Sequence, residues 1–389
     1  MNPTPEALRA SIGLRVDQID TPALVIDLDA MERNITRMAD FARKHQVRWR
    51  PHAKAHKCAE LALWLQRAGA TGACVQKTAE AEALAAGGVH DITITNEVIA
   101  LPKLLRLARL AARLQAQGGR LTLAVDSADG IHRLAEAMAQ AAPQARIGVL
   151  VEIDVGQGRC GVPPGEPALA LAHTVARQAR LHFAGLHAYQ GRAQHLRSAA
   201  ERREAITAVV QAARHTRDLI TASGLAVPLV TGSGTGTLVH EAASGVFGEL
   251  QAGSFLFMDA DYARNEREPA QPAFEHALFV KTQVISRQGD RAVCDAGHKS
   301  HAIDAGMPQV ALLPPERDLR YSSGGDEHGI LTAAGRKALL PAIGRMLWLI
   351  PGHCDPTVNL HDHMIGVRGG LEHGMVERIF RVDARGALT

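Results

Sequence analysis

Residues 121–155 read LTLAVDSADGIHRLAEAMAQAAPQARIGVLVEIDV. Two runs within it, LTLAVD at 121–126 and RIGVLVEIDV at 146–155, are strand-like and apolar on both faces. A strand buried on both sides belongs to a parallel sheet covered by helices. The same alternation extends in both directions. Strand-like runs precede it at VRWRPHAK (47–54), GACVQ (72–76) and DITITNE (91–97). Others follow at HFAGLHAY (182–189), PLVTGSG (228–234) and ELQAGSF (249–255). Helical patterns separate most of them. The clearest covers 103–115, with Leu104, Leu107, Ala108, Ala111 and Leu114 on one face, and another covers 199–222. Eight strand–helix units predict a (β/α)8 barrel, with a doubly wound open sheet as the alternative.

Upstream lies a shorter β run, ALVID at 23–27. Asp29, with Glu32 three residues on, predicts a capping box for a helix carrying Met31, Ile35, Met38 and Ala42. After Asp261 helical periodicity fades. Short runs follow, ALFVKTQVISR, RAVCDAG, QVALLP, MLWLIPG and MIGVRGG, broken by Gly, Pro and Asp. They predict a mainly antiparallel β domain. The expected division is a barrel over 26–264 and a β domain from 1–25 plus 265–389.

Composition narrows the class. The 389 residues are 46% hydrophobic and 21% charged, which suits a globular chain with a large core and excludes disorder or a coiled coil. Basic residues number 43 against 40 acidic, and no Lys/Arg block stands out, so nucleic acid is not an expected partner. No run approaches the ~18 apolar residues of a membrane helix, and the opening MNPTPEALRASIGLRVDQID does not read as a signal peptide. Five cysteines, an odd number with no CxxC, fit buried thiols in a reducing cytoplasm.

Barrel chemistry sits at the C-terminal ends of strands. The first strand ends in Arg50-Pro51-His52-Ala53-Lys54-Ala55-His56-Lys57. Flanking basic groups should lower the pKa of Lys54, as a nucleophilic amine requires. Lys57 reads as an ordinary surface lysine. The seventh and eighth strands end in TGSGTG (231–236) and Gly253-Ser254, where barrels often hold a phosphate. An amine and a phosphate cradle together suggest pyridoxal phosphate. Arg159, after the fifth strand, could face the ring nitrogen. Tyr189 could line the site or simply pack the core. His353 and Asp355, two apart on an extended segment, would point to one side and reach one cation. Asp326-Glu327-His328-Gly329 offers further ligands.

At this point the motifs RPHAKAHK, NEV, EIDVGQGRCGV, TGSGTG, DEHG and GHCDPTVNLHD together resemble the D-threonine aldolase and 3-hydroxy-D-aspartate aldolase group, pyridoxal-phosphate enzymes of the alanine-racemase-like fold. The resemblance runs from about residue 20 to the C-terminus. It implies a barrel joined to a β domain, a homodimer, and ALVID as a lead-in rather than a barrel strand. It assigns Lys54 to the cofactor imine and Arg159 to the ring nitrogen. It assigns Thr235, Gly236, Gly253 and Ser254 to the phosphate, and Gln76, Tyr189 and Tyr262 to further cofactor contacts. It gives His353 and Asp355 to a divalent cation, with Asp326 behind them or acting through water. It places His195 near the substrate hydroxyl. Three departures stand out: Ser233 in place of a loop glycine, Phe255 in place of tyrosine, and His298, which has no assigned role.

The implied reaction is metal-assisted cleavage of a D-3-hydroxy amino acid, a small-molecule substrate, to glycine and an aldehyde. Imidazole and carboxylate suit Mn²⁺, Mg²⁺ or Co²⁺. The nearest rival is a dehydratase acting on D-serine or D-3-hydroxyaspartate. Such enzymes tend to show His-x-Cys, whereas this chain has His353-x-Asp355. A non-catalytic pyridoxal-phosphate-binding protein of this fold usually is a lone barrel.

Overall fold

A computed structural model of the chain describes residues 5–311, 318–334 and 339–389. The runs apolar on both faces become eight parallel strands. They are Arg48–Trp49, Ala73–Val75, Asp91–Ile94, Arg120–Val125, Ile147–Glu152, Leu181–Ala188, Val230–Gly232 and Glu249–Leu250. Each of the seven pairs linking the second strand round to the eighth and the eighth to the first runs parallel. A parallel bridge between His52 and Cys74 joins the remaining two edges, so the sheet closes on itself. The open-sheet alternative is thereby excluded.

Helices wrap the outside. Leu101–Ala116 buries Leu104, Leu107, Ala108, Ala111 and Leu114, the face expected from their spacing. Ala199–Ala222 matches its expected span. The first helix, Leu28–His45, starts earlier than its pattern suggests. Its N-cap is Asp27, whose carboxylate accepts from the Asp29 and Ala30 amides. Asp29 sits in the first turn and instead accepts from Arg368 and from the Gly369 amide.

ALVID forms the strand Ala23–Asp27, but not in the barrel. It lies in the second sheet, antiparallel to Leu278–Gln288 and parallel to His363–Arg368. The remaining pairs of that sheet are antiparallel. The expected run QVALLP is strand only at Gln309–Val310, and its residues 312–314 lie outside the described residues. One apolar core joins both sheets. It contains Leu24, Ile26 and Met31, the barrel residues Trp49 and Leu250, Leu278 and Leu349 from the second sheet, and Cys354 from the helix that follows Leu349. This shared core sets the loop carrying His353 and Asp355 against the mouth of the barrel.

Candidate active site

The strand ends converge on a cavity of about 490 Å³. Lys54 lies in a one-turn 3₁₀ helix, Ala53–Ala55, directly after the first barrel strand. The His52 ring under it meets the Thr95 hydroxyl at 3.1 Å and the Gln76 amide at 3.0 Å. Burial first, and the Lys54 charge second, hold His52 well below the usual imidazole range. It is a neutral support. Gln76 also donates to Thr95 Oγ1 at 3.0 Å, which fixes its head at the cavity wall.

Across the cavity, Asp355 Oδ2 pairs with the Lys54 ammonium. This overturns the expectation of a lowered lysine pKa. Burial, the largest single influence, would depress it, but the Asp355 charge and hydrogen bond together with the Tyr189 and Glu80 charges raise it. The basic neighbours do not oppose this. Arg50 is neutralised by Asp91 and Glu249, and His52 is uncharged. Lys57 is no surface residue: it is buried and pairs with Glu80 at 2.8 Å. Sequence reading placed these cations beside Lys54, but their partners come from distant strands. Asp355 itself would be raised by burial, yet the Lys54 and His353 charges bring it down to about 2.

His353 and Asp355 do converge, with Nε2 to Oδ2 at 3.9 Å. The backbone is not extended throughout, as the spacing suggested. His353 is extended, and Asp355 lies in the first turn of the helix Cys354–Val358. The His353 ring is oriented by Asp304, whose Oδ2 lies 2.7 Å from Nδ1. Asp304 lies in AIDAG, which carries no sequence signal of this role. Asp355 Oδ1 is buried and has no hydrogen-bond partner among the described residues. A free carboxylate oxygen beside an aimed imidazole nitrogen fits a divalent cation. Cys354, between them, points away and donates to Met258 O at 3.2 Å. Asp326 is exposed on the hairpin between Leu319–Ser323 and Gly329–Ala333. Among the described residues no contact joins it to His353 or Asp355. Among the described residues, a trio of potential ligands with donor atoms all within 4.8 Å of one another is a different cluster, Glu97, Asp126 and Cys160. Burial and the nearby Glu152 charge raise Glu97 to about 7, which disfavours the charged form that a cation needs.

The seventh and eighth strands supply the anion cradle. Among the described residues, the amides of Gly234, Thr235, Gly253 and Ser254 donate to no protein group. Four free N–H groups at a Gly-rich mouth fit a phosphate. The Thr235 hydroxyl accepts from the Phe255 amide at 3.0 Å. Gly236 sits one step back. Its amide donates to Gln194 Oε1 at 3.0 Å and it does not line the cavity. Ser233, the departure from glycine, has φ +78°, a left-handed backbone that favours glycine. Phe255 is fully buried, outside the lining. His298 also lies outside, bonded to Ser323 Oγ at 2.7 Å.

The remaining expected residues meet at the same cavity. The Arg159 guanidinium carbon lies 5.8 Å from the centre of the Tyr189 ring, and Nη2 lies 3.8 Å from Glu152. Tyr189 and Tyr262 both line the cavity, so Tyr189 is not plain core. His195 Nδ1 lies 2.6 Å from Asp261, which Arg197 and Arg264 also hold. The floor adds a buried histidine with two partners. His187 bridges Glu152 at 2.8 Å and Gln251 at 3.2 Å. Alternation along strands six and eight put His187 and Gln251 on the inner face, but their bond depends on barrel closure.

Comparisons with known proteins agree with this geometry. Residues 26–261 match the family model of the alanine racemase N-terminal domain, and residues 277–367 match that of a putative serine dehydratase domain. The chain is 43% identical over 379 residues to a D-threonine aldolase of Arthrobacter sp, covering 97% of this chain and 96% of that protein. It is 40% identical over 380 residues to a 3-hydroxy-D-aspartate aldolase of Paracoccus denitrificans (strain Pd 1222), covering 96% and 94%. The crystal structure of a D-threonine aldolase from Filomicrobium marinum superposes with a TM-score of 0.91 at 44% identity, covering 97% of this chain and 99% of that one.

Proposed function

This chain belongs to the alanine racemase-like family that includes the D-threonine and 3-hydroxy-D-aspartate aldolases, and on that premise we propose that it is an aldehyde-lyase cleaving D-3-hydroxy amino acids to glycine and an aldehyde. One observation carries the reading. The Lys54 amine and Asp355 line a single cavity in direct contact, and His353 lies 3.9 Å behind that carboxylate. An amine for a carbonyl cofactor and a ligand pair for a cation thus address the same substrate.

Pyridoxal phosphate, which the family implies, supplies when bound an electron sink for the bond broken at Cα. Lys54 is the residue that would carry it. The free amides of Thr235, Gly253 and Ser254 would hold its phosphate, with Gly236 supporting the loop through Gln194. Gln76, Tyr189 and Tyr262 would wall its ring, and Arg159 would sit towards the ring nitrogen. His353 and Asp355 would hold a divalent cation, Mn²⁺, Mg²⁺ or Co²⁺, which supplies Lewis acidity at the substrate hydroxyl. Asp326, which touches neither ligand among the described residues, would act on the cation only indirectly, from behind the ligands or through water. Asp261 holds His195 by Nδ1, which leaves Nε2 free to take the hydroxyl proton, directly or through one water.

The dehydratase reading would use the same amine but expel the hydroxyl. The carboxylate at position 355, with the Cys354 thiol turned away, favours the aldolase. A carrier without catalysis would have no use for the aimed ligand pair. We read the assembly as a homodimer. The five free thiols support a reducing, cytoplasmic setting. No helix among the described residues is long and apolar enough to cross a membrane.

The test is product analysis. The protein, loaded with pyridoxal phosphate and Mn²⁺, is given D-threonine, D-3-hydroxyaspartate and D-serine in parallel. Glycine plus an aldehyde from the first two supports the aldolase. Ammonia plus a keto acid would establish the dehydratase instead.

A further inference from the structure

The charges around the cavity leave one guanidinium over. Lys54 pairs with Asp355, His187 with Glu152, and His195 with Asp261. Arg159 lies beside Glu152 and over Tyr189. Arg192 lines the same cavity. Its backbone amide donates to Gln190 Oε1 at 3.1 Å, but among the described residues its guanidinium has no hydrogen bond and no ion pair. Among the described residues Asp355 is the sole carboxylate lining the cavity, and it is already committed to Lys54. An unpaired guanidinium at the mouth of a binding cavity is therefore open to a carboxylate from the ligand.

The local backbone says which carboxylate. Arg192 and His195 are the first and last residues of one 3₁₀ turn. In such a turn side chains three apart lie over one another. Both line the cavity, so they face the ligand as neighbours. If His195 acts on the hydroxyl at Cβ, as proposed above, Arg192 beside it would reach the other substituent of Cβ.

We infer that Arg192 is a specificity-determining residue that recognises a carboxylate on Cβ, so that β-carboxylated substrates of the 3-hydroxy-D-aspartate class are preferred over those bearing a methyl. This rests on the proposed aldolase reading. A guanidinium binds a carboxylate through two parallel charge-assisted hydrogen bonds, whereas a methyl group gains nothing from it.

Two measurements on the enzyme loaded with pyridoxal phosphate and Mn²⁺ test it. In the first, kcat/KM is compared on D-3-hydroxyaspartate and D-threonine. Arg192→Ala should lower it on the order of 50-fold for the first and leave the second within roughly three-fold, with partial recovery in Arg192→Lys. Equal losses on both substrates would assign Arg192 to the α-carboxylate and overturn the inference, as would no loss on either. The second uses D-aspartate and D-2-aminobutyrate, which lack the hydroxyl and cannot be cleaved. Their binding is followed through the cofactor absorbance. Arg192→Ala should weaken D-aspartate alone, and equal weakening of both overturns the inference. If the unaltered enzyme cleaves neither hydroxy amino acid, the aldolase reading fails, and this second arm still decides what Arg192 recognises.

Discussion

Asp355 Oδ2 pairs with the Lys54 ammonium and lies 3.9 Å from His353 Nε2. One carboxylate therefore ties the barrel amine to the ligand pair of the other sheet.

Lys54→Ala is expected to lose the visible absorbance of the lysine-bound cofactor and all cleavage. Borohydride reduction followed by peptide mapping checks the position. Label on Lys57 would contradict the assignment, and the buried Lys57–Glu80 pair argues against that outcome.

His353→Ala or exhaustive chelation is expected to abolish cleavage while cofactor absorbance persists, because the anion cradle lies on other strands. Retained activity with no metal by elemental analysis would remove the cation from the site. Asp304→Asn should weaken cation affinity roughly 10- to 100-fold, since Asp304 only orients the His353 ring. A metal titration reads that value.

Ser233 holds a left-handed backbone, φ +78°, in a buried loop. A side chain there costs about 1 kcal/mol relative to glycine. Ser233→Gly is therefore expected to raise unfolding stability by about that amount. Denaturant titration at constant m-value checks it, and a loss of stability would show that the hydroxyl contributes more than the strain costs.

His56 is fully buried and accepts from the Cys58 amide at 3.1 Å. Burial lowers its pKa to about 4. The unfolded chain binds this proton below about pH 6.5, and the folded chain does so only below about 4. Stability is therefore full above the unfolded value and falls as pH drops between the two, by roughly 3 kcal/mol. His56→Gln should flatten that slope in unfolding measurements made from pH 7 to pH 4. An unchanged slope would place the acid sensitivity elsewhere.

Local sequence determined the barrel. Strands such as Ile147–Glu152 are apolar on both faces, and helices such as Leu101–Ala116 on one, so burial dictates a parallel sheet with an outer helical layer. The strand-end motifs also determined which side chains reach the mouth, because a strand's direction and alternation are local properties. Their charge states were not local. Whether Lys54 is lowered or raised depends on Asp355, 301 residues away in sequence, and whether Lys57 is surface or core depends on Glu80 and the Ala384 carbonyl. Coulomb interactions act through space, so only the packing of the two sheets over one shared core could decide them. The same holds for Asp304 behind His353, and for Arg192, whose lack of a partner is a property of the folded cavity alone.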